Sequence, residues 1–301
     1  MSVRKITFLL FLSCWFLLGQ ELDKTEEFSR GYLKTVVETT MGCDTEGLGY
    51  RTWEGEPDYP ISIVADSKMR IYVLDHLNNR IKVYSEDGKY LNDLKVKVYE
   101  EVSYEERKKH NLTAPLASLY GKEMFIGKDT LYIPVIGGFY VDTNWHKVIK
   151  VYSENDTSWV IEEVKEGELL KEGRFNEKIS KVDGLEAEVN KIKELKIRDT
   201  KKGSEKIIEL PHNMGKVYID KEKNIYVVNI WGYSDEYPQL YGIVQKYSKE
   251  GELLRELKIP FSLDCPFVDK NGNVFAMQRV PERKEYGEYV NPGVIKITIW
   301  K

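Results

Sequence analysis

Little in this sequence announces chemistry. It holds 3 Cys and 4 His in 301 residues. There is no Cys-x-x-Cys, no His-x-x-x-His and no His-x-x-Glu-His, which excludes thioredoxin-like and helical zinc sites. The Gly-x-Ser-x-Gly elbow and the phosphate-binding P-loop pattern are absent as well. Past the N-terminus no segment approaches ~18 uninterrupted apolar residues, so no later helix spans a membrane. Positive charge is in deficit, with 45 Lys+Arg against 49 Asp+Glu. That leaves no excess to neutralise phosphates and argues against nucleic-acid binding. The cluster Arg107-Lys108-Lys109 is interleaved with acids and reads as a solvated loop.

What is present begins with an export signal over residues 1–20. Arg4 and Lys5 form a positive start, Ile6 to Leu18 is apolar apart from Ser13, and Gly19 is a small residue before the polar run from Gln20. The apolar stretch is short for a span of ~20 residues, so cleavage near Gly19 is expected rather than anchoring. The product is periplasmic, cell-surface or extracellular. Phe11-Leu-Ser-Cys14 loosely resembles a lipobox, but Trp15 to Leu18 follow where a lipoprotein turns polar, which disfavours a lipid anchor at Cys14. Cleavage leaves Cys43 and Cys265, enough for one disulfide and no framework. Asn111-Leu-Thr113 and Asn155-Asp-Thr157 are glycosylation sequons, meaningful only in a host that glycosylates exported chains.

The 20 Tyr and 6 Trp favour strands, and the strands repeat. Pro60 to Asp66, Arg70 to Asp75, Arg80 to Tyr84 and the run from Tyr90 are four short strands joined by tight turns, an antiparallel meander. The order recurs at Lys216–Asp220, Asn224–Asn229, Gly242–Tyr247 and Leu253–Ile259, and again at Cys265–Asp269, Asn273–Met277 and Val294–Ile299. A weaker copy runs through Met124–Ile126, Thr130–Ile133 and Val148–Tyr152. Residues 173–210 are degenerate, with strands expected at Phe175–Val182, Leu195–Ile197 and Lys206–Leu210. Units of ~40–50 residues with four strands each read as the blades of a β-propeller, against a β-sandwich as the rival.

Pro60, Ile63, Asp66, Ile71-Tyr-Val73, Asp75, Asn79-Arg80-Ile81, Val83-Tyr84, Gly88 and Leu91 together resemble an NHL repeat, the blade of a propeller family. The likeness covers 60–91 well, 212–260 and 261–301 partly, and 165–210 poorly. It implies an all-β ring of six blades. Five units count directly, and six is preferred on the premise of a further degenerate unit within 92–130 or 160–210. The domain reading is a signal at 1–20, an N-terminal segment at 21–59 and the propeller at 60–301. The last unit stops after a third strand, and Tyr32 to Glu38 is a strand-like run ahead of the first unit. This run is expected to supply the missing outer strand and close the ring. Cys43 and Cys265 then stand where a disulfide could bridge the closure.

Among candidate residues, Asp75 with Asn79 and Arg80 reads as turn and blade cohesion ahead of a ligand carboxylate. Asp66, Asp220 and Asp269 recur after a first strand and read as turn formers ahead of a ring of metal ligands. His76, His110, His146 and His212 carry no pattern. The loops that lengthen a blade, Gly137 to His146 and Ile230 to Tyr241, are richer. They hold Phe139, Tyr140, Trp145, Trp231, Tyr233 and Tyr237, whose rings give contact area at low entropic cost.

The preferred reading is a non-catalytic propeller that presents these loops to a protein, peptide or glycan. It has no evident cofactor, no catalytic residue that can be named, and an oligomeric state the sequence leaves open. One alternative is a lactonase-like hydrolase holding calcium or another divalent cation in the channel. Asp58, Asp264, Glu209 and Asn213 near first strands are its candidate carboxylates and amide. The other is a structural subunit of an envelope complex.

Overall fold

The computed structural model describes residues 33–40, 47–49, 51–53, 56–58, 62–101, 118–120, 124–137, 147–155, 158–165, 179–190, 193–211, 215–231, 241–260, 266–283 and 289–300. The signal segment, Cys14, Cys43, Cys265, His110, His146 and His212 lie outside them.

Three strands precede the first blade: β1 (Leu33–Thr40), β2 (Arg51–Trp53) and β3 (Glu56–Asp58). Blade 1 is β4 (Ser62–Ala65), β5 (Ile71–Asp75), β6 (Arg80–Tyr84) and β7 (Tyr90–Lys95). Next come β8 (Tyr99–Glu101) and β9 (Ser118–Tyr120), followed by blade 2: β10 (Phe125–Gly127), β11 (Thr130–Gly137), β12 (Lys147–Asn155) and β13 (Ser158–Lys165). Blade 3 is β14 (Ile179–Val182), β15 (Leu185–Val189), β16 (Glu194–Asp199) and β17 (Ser204–Glu209). Blade 4 is β18 (Lys216–Ile219), β19 (Ile225–Trp231), β20 (Tyr241–Tyr247) and β21 (Leu253–Pro260). Blade 5 contributes β22 (Phe267–Val268), β23 (Val274–Arg283) and β24 (Tyr289–Trp300).

Blade 5 is completed by β1, which pairs antiparallel with β24 from Leu33↔Trp300 to Thr40↔Val294, with one bulge between Thr35 and Val37. The expected closure is therefore the observed one. It joins the start of the chain to its end, and β24 is paired on both sides. The described blades number five. The preferred sixth is not among them, because β8 and β9 from the 92–130 stretch join the sheet of blade 2 and residues 179–209 make blade 3.

The middle strands of blades 1, 4 and 5 bury both faces, because each of these sheets is wedged between two neighbours. In blade 4, Ile225, Val227 and Ile243 pack with Leu195 and Ile197 of blade 3, while Tyr226, Val228 and Val244 pack with Val274, Ala276 and Trp300 of blade 5. In blade 5, Phe275, Met277, Ile295, Ile297 and Ile299 turn the other way, into one core with blades 1 and 2. Apolar packing thus runs from blade 3 through 4, 5 and 1 to 2. Among the described residues no core cluster joins blade 2 to blade 3. The face of blade 3 turned from blade 4 is polar instead. Lys181, Glu186, Arg198 and Glu205 stand opposite one another across its four strands, at ion-pair distances of 2.8, 3.0 and 2.8 Å.

The turns after the first strands share one construction. Asp66 is buried and accepts from the Lys68 and Arg70 amides at 3.0 and 2.9 Å, the Arg70 Nε at 2.6 Å and the Tyr72 hydroxyl at 2.8 Å. Asp220 accepts from the Asn224 amide and side chain, both at 2.8 Å, and from the Tyr226 hydroxyl at 3.1 Å. Asp269 accepts from the Asn271 and Asn273 amides and the Asn273 side chain; Phe275 stands where a tyrosine would complete the set. These carboxylates organise turns, as expected, because a buried acceptor must be satisfied locally.

Adjacent turns also touch. Lys223 Nζ lies 3.0 Å from Asp183, the Lys221 amide donates to the Lys270 carbonyl at 2.8 Å, Asn273 Nδ2 meets the Met69 sulfur at 3.6 Å, and the Ser67 amide donates to Asp129 at 2.8 Å. Blades 3, 4, 5, 1 and 2 are stitched in that order.

Two predictions follow from closure and turns. Deleting residues 21–40 strips β24 of its partner and should lower the melting temperature sharply; an unchanged melt contradicts the closure. Burial first, and then the Asp66 and Asp220 charges, push the Tyr72 and Tyr226 hydroxyls above the ordinary tyrosine value, and burial raises Tyr247 to about 12. Their folded values lie above the unfolded one, so their contribution is whole below about pH 10 and is lost as pH rises further. Tyrosinate absorbance should therefore grow together with unfolding above about pH 10. Tyr72→Phe should cost ~1–2 kcal/mol near neutral pH, since Asp66 loses a buried donor.

Candidate functional site: the long-hairpin face

In a blade that runs up and down, every loop from second to third strand leaves at the same end. The blades differ in how far that hairpin continues. In blade 1 it stops at Asp75↔Arg80. In blade 4 the position equivalent to Asp75 is Asn229, and pairing continues to Trp231↔Tyr241. In blade 5 it runs on to Arg283↔Tyr289, past a bulge after Val280. In blade 2, β11 extends to Gly137 and β12 starts at Lys147. Blades 4 and 5 therefore raise paired hairpins above two short ones, while in blade 2 pairing ends at Val135↔Lys147 and β11 runs on to Gly137.

The short ones are locked. In blade 1, Asp75 is fully buried; it accepts from the Gly49 amide at 2.9 Å, Asn78 Nδ2 at 2.9 Å and Arg80 Nε at 2.8 Å. Arg80 reaches on to Asp93 at 3.0 Å and to the Gly47 carbonyl at 2.5 Å. Asn79 takes the left-handed conformation, φ 51°. Its carbonyl accepts from the Val96 amide and its side chain from the Val98 amide, each at 2.9 Å. The turn thus grips two passing segments, the connector after β1 and the exit from β7. Gly49 is required by closeness: a Cβ there would stand 2.7 Å from Leu77 Cβ and 2.8 Å from the Asp75 carboxylate. Blade 3 repeats half of the device. Lys193, also left-handed at φ 59°, accepts the Leu210 amide beyond β17, and Asn190 and Glu194 bond each other.

Over the channel lies an element the repeat pattern did not reveal. β9 pairs with Ile136 and Gly137 at the upper end of β11, on the side where β10 flanks its lower end, and β8 pairs with β9. Since β10 is the inner strand of blade 2, the β8–β9 hairpin sits at the axial mouth on the long-hairpin face, against the His76–Asn78 turn of blade 1.

Of the residues singled out from sequence, Trp231 ends β19 opposite Tyr241. Phe139, Tyr140, Trp145, Tyr233 and Tyr237 lie outside the described residues, as do Asp264 and Asn213. Asp58 ends β3 opposite Arg51, ahead of β4, and Glu209 ends the exposed outer strand of blade 3. His76 is buried within its turn. Among the described residues no three His, Cys, Asp or Glu side chains gather as a metal site, and no helix is long and apolar enough to cross a membrane. The lengthened hairpin of blade 5 was missed in the sequence, where Glu282 to Glu288 is too charged to read as strand and Tyr289-Val-Asn-Pro-Gly293 carries no alternation.

No known family pattern and no curated protein matches this chain. Among solved structures, a luciferin-regenerating enzyme aligns at 10% identity over 80% of this chain and 91% of its own, with a TM-score of 0.38. Regucalcin from Agrobacterium tumefaciens, described as a calcium-binding protein, aligns at 10% over 80% and 90%, with a TM-score of 0.37. A catalytically inactive virginiamycin B lyase from Staphylococcus aureus, with quinupristin, aligns at 12% over 80% and 86%, with a TM-score of 0.33. Likenesses this distant carry no inference about chemistry here.

The Asp75–Arg80 node has a direct test. Asp75→Ala leaves the buried Arg80 with Asp93 as its one carboxylate and the Gly49 amide without its acceptor, and should cost ~3–5 kcal/mol in chemical denaturation. Gly49→Ala should destabilise through the clash with Leu77. Wild-type stability in both would show that the connector is not held at this turn.

Proposed function

We infer that this chain is an exported, non-catalytic interaction propeller whose partner, a protein, peptide or glycan, is gripped by the raised loops of blades 2 and 4. The supporting observation is the asymmetry of one face. β19–β20 stays paired to Trp231↔Tyr241, beyond the height at which Asp75 and Arg80 end blade 1, and β11 runs past its last pair with Lys147 to Gly137, where β9 pairs with it. The loops they carry hold Phe139, Tyr140, Trp145, Trp231, Tyr233 and Tyr237, a concentration of rings with polar tips suited to recognition. Paired strands at their bases present such loops at less entropic cost than free chain would.

Export rests on the segment at residues 1–20 and places the mature protein in the periplasm, on the cell surface or outside the cell. An oxidised Cys43–Cys265 pair, readable as a mass change on reduction, accords with that address.

Affinity capture from the exporting cell tests the reading. Trp145→Ala and Trp231→Ala should each lose partners that the parent retains while keeping its melting curve; full retention by both removes the loops from the account. Calorimetric titration of the metal-free mature protein with calcium bears on the rival chemistry. Stoichiometric binding with a gain in stability would favour a cation-dependent hydrolase instead.

A further inference from the structure

Blade 3 differs from the other blades in how its middle strands meet water. β5 and β6 of blade 1 bury every residue, whereas β15 and β16 bury only alternate ones. The buried set, Leu185, Ala187, Val189, Leu195 and Ile197, packs with blade 4. The other set meets solvent in rows fixed by the strand register. One row reads Lys181, Glu186, Arg198, Glu205 from β14 to β17, and the next reads Ile179, Glu188, Lys196, Ile207. In these rows β14 and β16 carry the positive charges, β15 and β17 the negative ones. Lys181 and Glu205 remain 67% and 42% exposed although each is ion-paired within the sheet at 2.8 Å, and Ile207 is 56% exposed. Beyond the second row Asn190 bonds Glu194, and Glu209 stands at the outer corner.

We propose that this face docks a second copy of this chain, blade 3 stacked on blade 3. Each row is its own complement when reversed. A copy turned about a two-fold axis that runs along the strands, between β15 and β16, presents the same rows in reverse order. Lys181 then faces the second copy's Glu205, Glu186 its Arg198, Glu188 its Lys196 and Ile179 its Ile207, while Asn190 faces its Glu194. An axis across the strands would instead set Glu186 against Glu188 and Lys196 against Arg198, like sign against like. The charge pattern therefore selects one orientation and rejects the other. Four strands spaced about 4.8 Å apart make a patch of about 20 Å by 15 Å, in the range of weak, transient contacts. The surface is independent of the loops on blades 2 and 4.

The test is sedimentation equilibrium of the mature full-length protein at low salt, from micromolar to near-millimolar concentration. A monomer–dimer equilibrium that weakens with added salt is expected. Lys181→Glu and Glu205→Lys should each weaken it at least about tenfold, because each sets like charges opposite one another twice per dimer. Mixed together, the two variants should associate within about threefold of the parent, since each then supplies the sign that the other lacks. Lys202→Glu, in the exposed turn of the same blade, should change the association less than about twofold. All variants should keep the parent's melting curve, because only exposed side chains change. A parent that stays monomeric at every concentration, single variants that dimerise as the parent does, or a mixture that stays monomeric would each overturn the proposal.

Discussion

The structure depends on a bond between the two ends of its described chain. A ring of wedges has no edge only while every outer strand is in place, and here the last outer strand comes from the first described segment. β1 is held on β24 by the backbone ladder, with Val37 in the core and the Glu38–Lys296 pair at 3.2 Å beside it. Such a ladder needs the strand delivered in register. The Asp75–Arg80 node helps by fixing the connector at Gly47 and Gly49 on its path from the rim of blade 5 toward blade 1. Closure is therefore two contacts acting in series, one in blade 5 and one in blade 1.

The remainder of the ring is unevenly held. Four boundaries are apolar and continuous, and each is reinforced by a contact between neighbouring turns. Blade 3 contributes to only one of the core clusters and turns a ladder of alternating charge away from it. Half-exposed ion pairs of that kind contribute ~0–1 kcal/mol each, less than the buried aliphatic contacts on the opposite face. Closure from β1 thus matters more here than in a ring packed equally all round.

How far this was legible depends on what each feature leaves in a sequence. Blades 1, 4 and 5 were readable because Asp66, Asp220 and Asp269 mark their first turns, and β-branched runs follow at fixed spacing. The closing strand was readable from Tyr32 to Glu38 and from the unit that lacked its fourth strand. Blade 3 read poorly for a physical reason. With one face apolar and the other charged, Leu185 to Val189 alternates in single residues with Glu186 and Glu188, so three of its five residues are apolar against all four of Ile225 to Val228. The preference for six blades came from family resemblance, and nothing local in 92–130 distinguished a blade from β8–β9, a hairpin that borrows the edge of β11. The grip of Asp75 and Arg80 on Gly47 and Gly49 joins residues 26 and 33 positions apart, which local pattern does not encode. The aromatic loops stand out by composition alone, since all their residues but Trp231 and Tyr241 at the ends of β19 and β20 lie outside the described ones.

The most direct test of the closure is a cross-link at a pair that the register places side by side. Glu38 and Lys296 stand opposite each other on β1 and β24. With Cys43 and Cys265 replaced by Ser, Glu38→Cys with Lys296→Cys should oxidise to an intramolecular disulfide in the monomer, since directly opposed strand residues lie within bridging distance. Peptide mapping would find the two cysteines joined. A chain in which they stay reduced, or bridge only between molecules, would contradict the closure and with it the ring.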